Sequence, residues 1–286
     1  MTAPAILVGN RTGGQGKTLI SQMIHYGYSL AGQPISAVSA DSAEVGAESK
    51  LGRFLGKGNV DELGTGANMS EVLENNHEAV RYWDRLGKHL RDGSCVVDLG
   101  ANILPLVFQW ARARKAGRLL KGSRVVLVIP VTAQAQSIAD AVEMLKLAAA
   151  NEDVLPISES FLVLNEYHGS FARLKEDRKF EKLGSSTMLG HNTKVVQLTK
   201  ANVEVWGNIE AKNISFERLA GLGIEDYEEL FNLDMFAASG SEAAFDDWNK
   251  STLKGFRDVG LIPPGVEPSA EGHGVSQVEK KGAKAA

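Results

Sequence analysis

Ala5-Ile6-Leu7-Val8-Gly9-Asn10-Arg11-Thr12-Gly13-Gly14-Gln15-Gly16-Lys17-Thr18-Leu19 is the stretch whose reading decides the fold. Its first four residues are an apolar run of the kind a buried strand carries, and a helical pattern begins at Leu19. Between them, Gly13, Gly14 and Gly16 permit backbone angles that a side chain would forbid. Successive N–H groups, that of Gln15 among them, can then turn inward around a phosphate chain while Lys17 adds a point charge. Thr18 places a hydroxyl where a magnesium ligand is needed, and the helix it opens directs its positive end at the anion. A standard phosphate loop has glycine five positions before Gly16, where this chain has Arg11. A glycine-rich turn without a ligand is the plain alternative; the flanking strand and helix favour a nucleotide site.

Outward from the loop, Leu19, Ile20, Met23, Ile24 and Leu30 mark one face of a helix that Gly32 and Pro34 end. A second strand, Ile35 to Ala40, stops at Asp41. That position is the carboxyl end of a strand, where ligands bind in open parallel sheets. Asp41 can orient or deprotonate water there, or merely cap the next turn, and the residues leave both roles open. From Glu44 to Met69 the chain is rich in glycine and charge, including Lys50, Arg53 and Lys57, and reads as a mobile switch or a solvated loop with one short helix at Leu51 to Leu55. Ser70 begins a helix in which Val72, Leu73, Val80, Trp83 and Leu86 recur at core spacing. Cys95-Val96-Val97-Asp98-Leu99 is apolar on both faces and closes on a carboxylate, the pattern of an element that holds magnesium beside a phosphate loop.

The remainder continues the alternation. A helix from Ile103 ends in Arg112, Arg114, Lys115, Arg118 and Lys121, which either meet DNA phosphates or an acidic partner, or form a solvated basic face. Val125 to Val131 is a buried strand, Ser137 to Ala150 a helix, and Phe161 to Asn165 a further strand. Asn165 at its end has an amide able to read a purine edge, or to close a turn. A mixed-charge segment, Arg173 to Lys182, reads as an exposed helix, and Val195 to Leu198 as a sixth strand. Residues 203 to 256 are mainly helical patterns, with Phe245, Trp248, Leu253 and Phe256 on one apolar face. The expected organisation is a doubly wound, mostly parallel α/β core over 1–200, a helical C-terminal extension over 201–260, and a disordered tail over 261–286.

Composition narrows the setting. A net charge of -4, from 31 basic and 35 acidic residues, gives no global attraction to nucleic acid, so direct DNA contact requires a local patch. One cysteine, Cys95, excludes an internal disulfide and fits a reducing cytoplasm. No apolar run approaches the roughly 20 residues that span a bilayer, and no secretory leader pattern opens the chain. The six histidines are scattered, without zinc spacing.

These residues resemble the ParA/MinD superfamily of deviant P-loop ATPases, whose loop is usually written KGGxGKT or KGGxGKS. Gly13, Gly14, Gly16, Lys17 and Thr18 match it; Asp41, Asp98 and Asn165 follow in the family's order, and the resemblance covers about residues 3 to 235. Val97-Asp98-Leu99-Gly100-Ala101-Asn102 with a helical C-terminal part looks most like the TraL kind found in conjugal-transfer operons. The resemblance implies ATP and Mg2+ as ligands, slow hydrolysis, a nucleotide-dependent homodimer, and a protein partner in DNA transfer or partition machinery. In its terms Lys17 and the loop amides hold phosphates, Thr18 and Asp98 hold magnesium, Asp41 positions the attacking water, and Asn165 contacts adenine. The family's signature lysine falls at Thr12, which has no charge. Arg11, one residue earlier, is a candidate arginine finger in its place. A nucleotide-binding scaffold without turnover and a ligase resembling dethiobiotin synthetase are the alternatives.

Overall fold

The computed structural model describes residues 2–40, 48–63, 77–174 and 193–265. Asp41, the start of the helix expected at Ser70, most of the mixed-charge segment expected as an exposed helix, and the tail from residue 266 lie outside the described residues.

Strand β1 (Ala5–Val8) leads through the glycine loop into α1 (Lys17–Leu30). There follow β2 (Ser36–Ala40), α2 (Lys50–Leu55), β3 (Val60–Glu62), α3 (His77–Asp92) and β4 (Cys95–Leu99). Next come α4 (Ile103–Arg114), β5 (Val125–Thr132), α5 (Ala135–Ala149), β6 (Ile157–Asn165) and β7 (Thr193–Leu198). Four helices close the described chain: α6 (Trp206–Ala211), α7 (Phe216–Leu219), α8 (Ile224–Phe231) and α9 (Met235–Asp258). The strands form one seven-stranded sheet in the order β3-β2-β4-β1-β5-β6-β7, and every pairing in it is parallel. The sheet is thus a doubly wound α/β sheet, with all rather than most of its strands parallel. From β1 the chain winds to one edge, returns through β4, and then winds to the other edge. This puts β1, flanked by β4 and β5, at the reversal point where ligands bind beyond the carboxyl ends of the strands.

Strand β3 is a correction to the sequence reading. Val60-Asp61-Glu62 is three residues long with two acids, too short for alternation to register, and it is stable only as an edge strand paired to β2. β6 likewise starts at Ile157, earlier than its apolar run at Phe161, because Ser158 and Glu159 sit at the rim where polar groups reach solvent. Pro130 is accommodated inside β5 because β1 has already turned into its loop there, and the Pro130 carbonyl accepts from Asn10 Nδ2 at 2.8 Å.

Period-two alternation distributes the strands' apolar residues between two layers. Ala5, Leu7, Val97 and Leu127 pack with Trp83, Leu104, Phe108, Ile138 and Met144 of α3, α4 and α5. Ile6, Val8, Val96 and Val128 face α1, together with Phe216, Tyr227, Phe245, Trp248 and Phe256 from α7, α8 and α9. The helices beyond residue 201 therefore share a core with α1 and close the second face of the sheet. Cys95 is fully buried in the first layer, and burial pushes its thiol up to about 12, which makes it a packing residue. Among the described residues no helix is long and apolar enough to cross a membrane.

Candidate functional site

The loop between β1 and α1 is fixed from beneath. Gly9 N–H bonds the Val128 carbonyl at 3.0 Å, and the fully buried Asn10 accepts the Arg11 N–H at 2.7 Å. Asn102 N–H reaches the Arg11 carbonyl at 3.0 Å, tying the loop to the chain that follows β4. Gln15 is 2 % exposed and its side chain turns inward, where Oε1 accepts from Thr132 Oγ1 at 2.7 Å and from Ser137 Oγ. Its part toward a ligand is therefore its backbone alone. Thr132 and Ser137 lie too far from the loop in sequence for spacing to expose this support. Their signal is only that each is a polar residue at a strand end or helix start.

Gly14 and Gly16 take φ of 73° and 86°, in the left-handed region that glycine enters without a Cβ penalty. Gly16 is the N-cap of α1 and has no side chain with which to satisfy the helix's first N–H groups, so these remain directed at whatever occupies the loop. Lys17 Nζ reaches back over the loop to the Thr12 carbonyl at 3.0 Å. Thr18 Oγ1 donates to Asp98 Oδ2 at 2.7 Å, and Ser21 Oγ to Asp98 Oδ1 at 3.3 Å. Asp98 is 1 % exposed at the end of β4, where its register opposite Val8 of β1 brings it beneath the loop. Sequence reasoning placed Thr18 and Asp98 together across 80 positions, and the fold does so; Ser21 it missed.

The donor set fits a phosphate-bound magnesium. Such an ion keeps several waters and phosphate oxygens and takes only one or two protein ligands. A hydroxyl and a buried carboxylate in contact supply that number, and among the described residues no group of three or more His, Cys, Asp or Glu gathers to suggest a closed metal cage.

Beside the loop lies a cleft of about 410 Å³. Residues 13–19 line it together with Asn165 at the end of β6 and Tyr167 beyond it, Leu198 at the end of β7 and Thr199 to Ala201 beyond it, Trp206 and Glu210 of α6, Lys50 of α2, and Trp248 of α9. Asn165 Nδ2 donates to the Gln15 carbonyl at 3.1 Å, and its Oδ1 accepts the Tyr167 N–H at 3.1 Å. These bonds use two of the amide's four hydrogen-bonding positions, so Asn165 braces the loop whatever else it contacts. Lys50, Lys200, Trp206 and Glu210 were absent from the sequence-derived site. Nothing in a charged loop or a helical pattern marks which of its residues will turn toward β1.

Arg11 and Thr12 face away from this cleft, toward α5. Arg11 pairs with Glu143, both partners about half exposed, while Thr12 Oγ1 bonds the buried Asp140. Asp98, Lys17, Thr18 and Asn165 are thus brought together, with Arg11 on the loop's other flank. Of the basic run that starts in the last turn of α4, Arg114 pairs with Asp84 at 2.7 Å and Arg112 bonds Asn151. Lys115, Arg118 and Lys121 are exposed, at the amino end of β5 and so at the opposite pole of the sheet from the loop.

No protein-family model matches the chain, and no curated protein matches it. Among solved structures it is similar to a ParA family ATPase from Chlorobium tepidum TLS, at 15% identity over 87% of this chain and 98% of that one, with a TM-score of 0.47. The MinD cell division protein of Aquifex aeolicus is similar at 14% identity, over 87% of this chain and 97% of that one, with a TM-score of 0.40. An ATP complex of Cyanothece McdA is similar at 14% identity, over 93% of this chain and 99% of that one, with a TM-score of 0.49.

Proposed function

We propose that the chain is a nucleotide-dependent switch of the ParA/MinD kind that binds ATP with Mg2+ and hydrolyses it slowly. Its two states would differ in self-association, and its setting is plasmid mobilisation, conjugal transfer or partitioning. The observation that carries the reading is the Thr18–Asp98 contact of 2.7 Å in front of a helix N-terminus capped only by a left-handed glycine. Lys17 and the loop amides take the phosphates, Thr18 and Asp98 hold the metal, Asp41 orients the attacking water, and Asn165 lies at the adenine. Magnesium, when bound, neutralises charge on the phosphate oxygens. The chain's own work is to position that phosphate chain, to keep the Lys17 cation at its flank, and to exclude bulk water from the buried Asp98 side.

A second reading, a nucleotide-binding scaffold without turnover, is favoured by the Arg11–Glu143 pair, which holds the candidate finger against its own chain. An exposed pair of this kind is worth only about 0–1 kcal/mol, so Arg11 can leave it for a partner's phosphates. Phosphate release and gel filtration separate the two. The switch reading expects slow, Mg2+-dependent release that falls roughly 10- to 100-fold in Asp98→Asn. It also expects an ATP-induced dimer in wild type that Arg11→Ala fails to form. Absence of release above a Lys17→Ala control would leave the scaffold.

A further inference from the structure

Besides the glycine loop, the cleft has a chemically different part to its lining. There Leu198, Ala201 and Trp206 join Leu19 of α1 to give an apolar wall, broken by the charged ends of Lys200 and Glu210. Trp206 is the informative residue. Its neighbours in the aromatic cluster, Phe216 and Phe245, are 3 % and 2 % exposed, as core rings are, whereas Trp206 is only half-buried and lines the cleft.

The ring nevertheless packs against two others. Trp248 of α9 meets it edge-on, with centroids 5.1 Å apart at 71°, and Phe216 lies against it at 6.2 Å. Trp248 is itself anchored by its indole N–H, which donates to the Thr199 carbonyl at 2.9 Å in the same cleft wall. A flat ring packed on aromatic neighbours beside the glycine loop, and partly open to solvent, is what stacking of a heterocycle requires.

We propose that Trp206 is the platform on which the nucleobase stacks. The phosphates are then read by the loop after β1, and the base by the helices that close the second layer. The assignment rests on the nucleotide reading above and deepens it: the ligand is a nucleotide with an aromatic base, and a bare polyphosphate lacks half of the recognition. Because Trp206 packs on Trp248, an occupied base site also bears directly on α9.

The test compares two probes, Mg-ATP and inorganic tripolyphosphate with magnesium, titrated calorimetrically into the full chain and into Trp206→Ala and Trp206→Phe. Base stacking of this kind is worth roughly a tenfold or greater change in affinity. Trp206→Ala should therefore weaken ATP at least about tenfold while tripolyphosphate binds as in wild type, and Trp206→Phe should retain most of the ATP affinity. The unchanged tripolyphosphate affinity also establishes that Trp206→Ala is folded. Equal weakening of both probes, or unaltered ATP affinity in Trp206→Ala, would overturn the assignment while leaving the phosphate loop standing. Failure of wild type to bind either probe would overturn the nucleotide reading and this assignment together.

Discussion

Gly16 concentrates the site's constraints in one residue. Its φ of 86° is costly for any L side chain, and a Cβ there would collide with the Asn165 amide, which braces the loop through the Gln15 carbonyl. Gly16→Ala should lower stability by about 1–2 kcal/mol from the left-handed backbone alone. It should also displace Asn165, so that ATP affinity falls by more than stability does; urea unfolding and ATP titration of the same variant measure the two. The motif residues were legible as a group because glycines followed by lysine and threonine, set between an apolar run and a helical pattern, form a recognisable loop pattern. Their supports were not. Asp140 under Thr12, and Thr132 and Ser137 under Gln15, are ordinary polar residues whose purpose appears only when α5 and β5 are laid against the loop.

At the scale of elements, α1 and α9 carry most of the second layer. Gly27 of α1 has no room for a side chain, because a Cβ there would run into Ile262 just beyond α9. Phe256 of α9 is fully buried in the core it shares with β1 and α1. Phe256→Ala should therefore cost about 3–5 kcal/mol of stability, as large-to-small changes in a well-packed core do, and the check is a single cooperative denaturation transition shifted to lower urea. An independent, earlier transition for the C-terminal helices would contradict a shared core. The apolar stripe Phe245, Trp248, Leu253 and Phe256 was readable at helical spacing. That the C-terminal helices wall the cleft beside the loop through Trp206 and Trp248 was not, since periodicity reports which face is apolar and says nothing of what lies opposite it.

Over the whole molecule, the parallel sheet separates the candidate site and the exposed cations by pole. The loop, Asp98, Asn165 and the aromatic wall gather beyond the carboxyl ends of the strands, while the exposed cations after α4 sit at the amino ends. The sheet's core strands were visible as apolar runs, and its order follows from winding in two directions from β1. The edge strand β3 needed its partner before it could be seen. The account stands on the loop amides, Lys17, Thr18 and Asp98 forming one centre for a metal-bound triphosphate. Calorimetric titration of ATP, with and without magnesium, into wild type and Lys17→Ala tests that most directly. Magnesium-dependent binding of one ATP per chain in wild type, lost in Lys17→Ala, is the predicted result; no binding in wild type, or equal affinity in the variant, would contradict it.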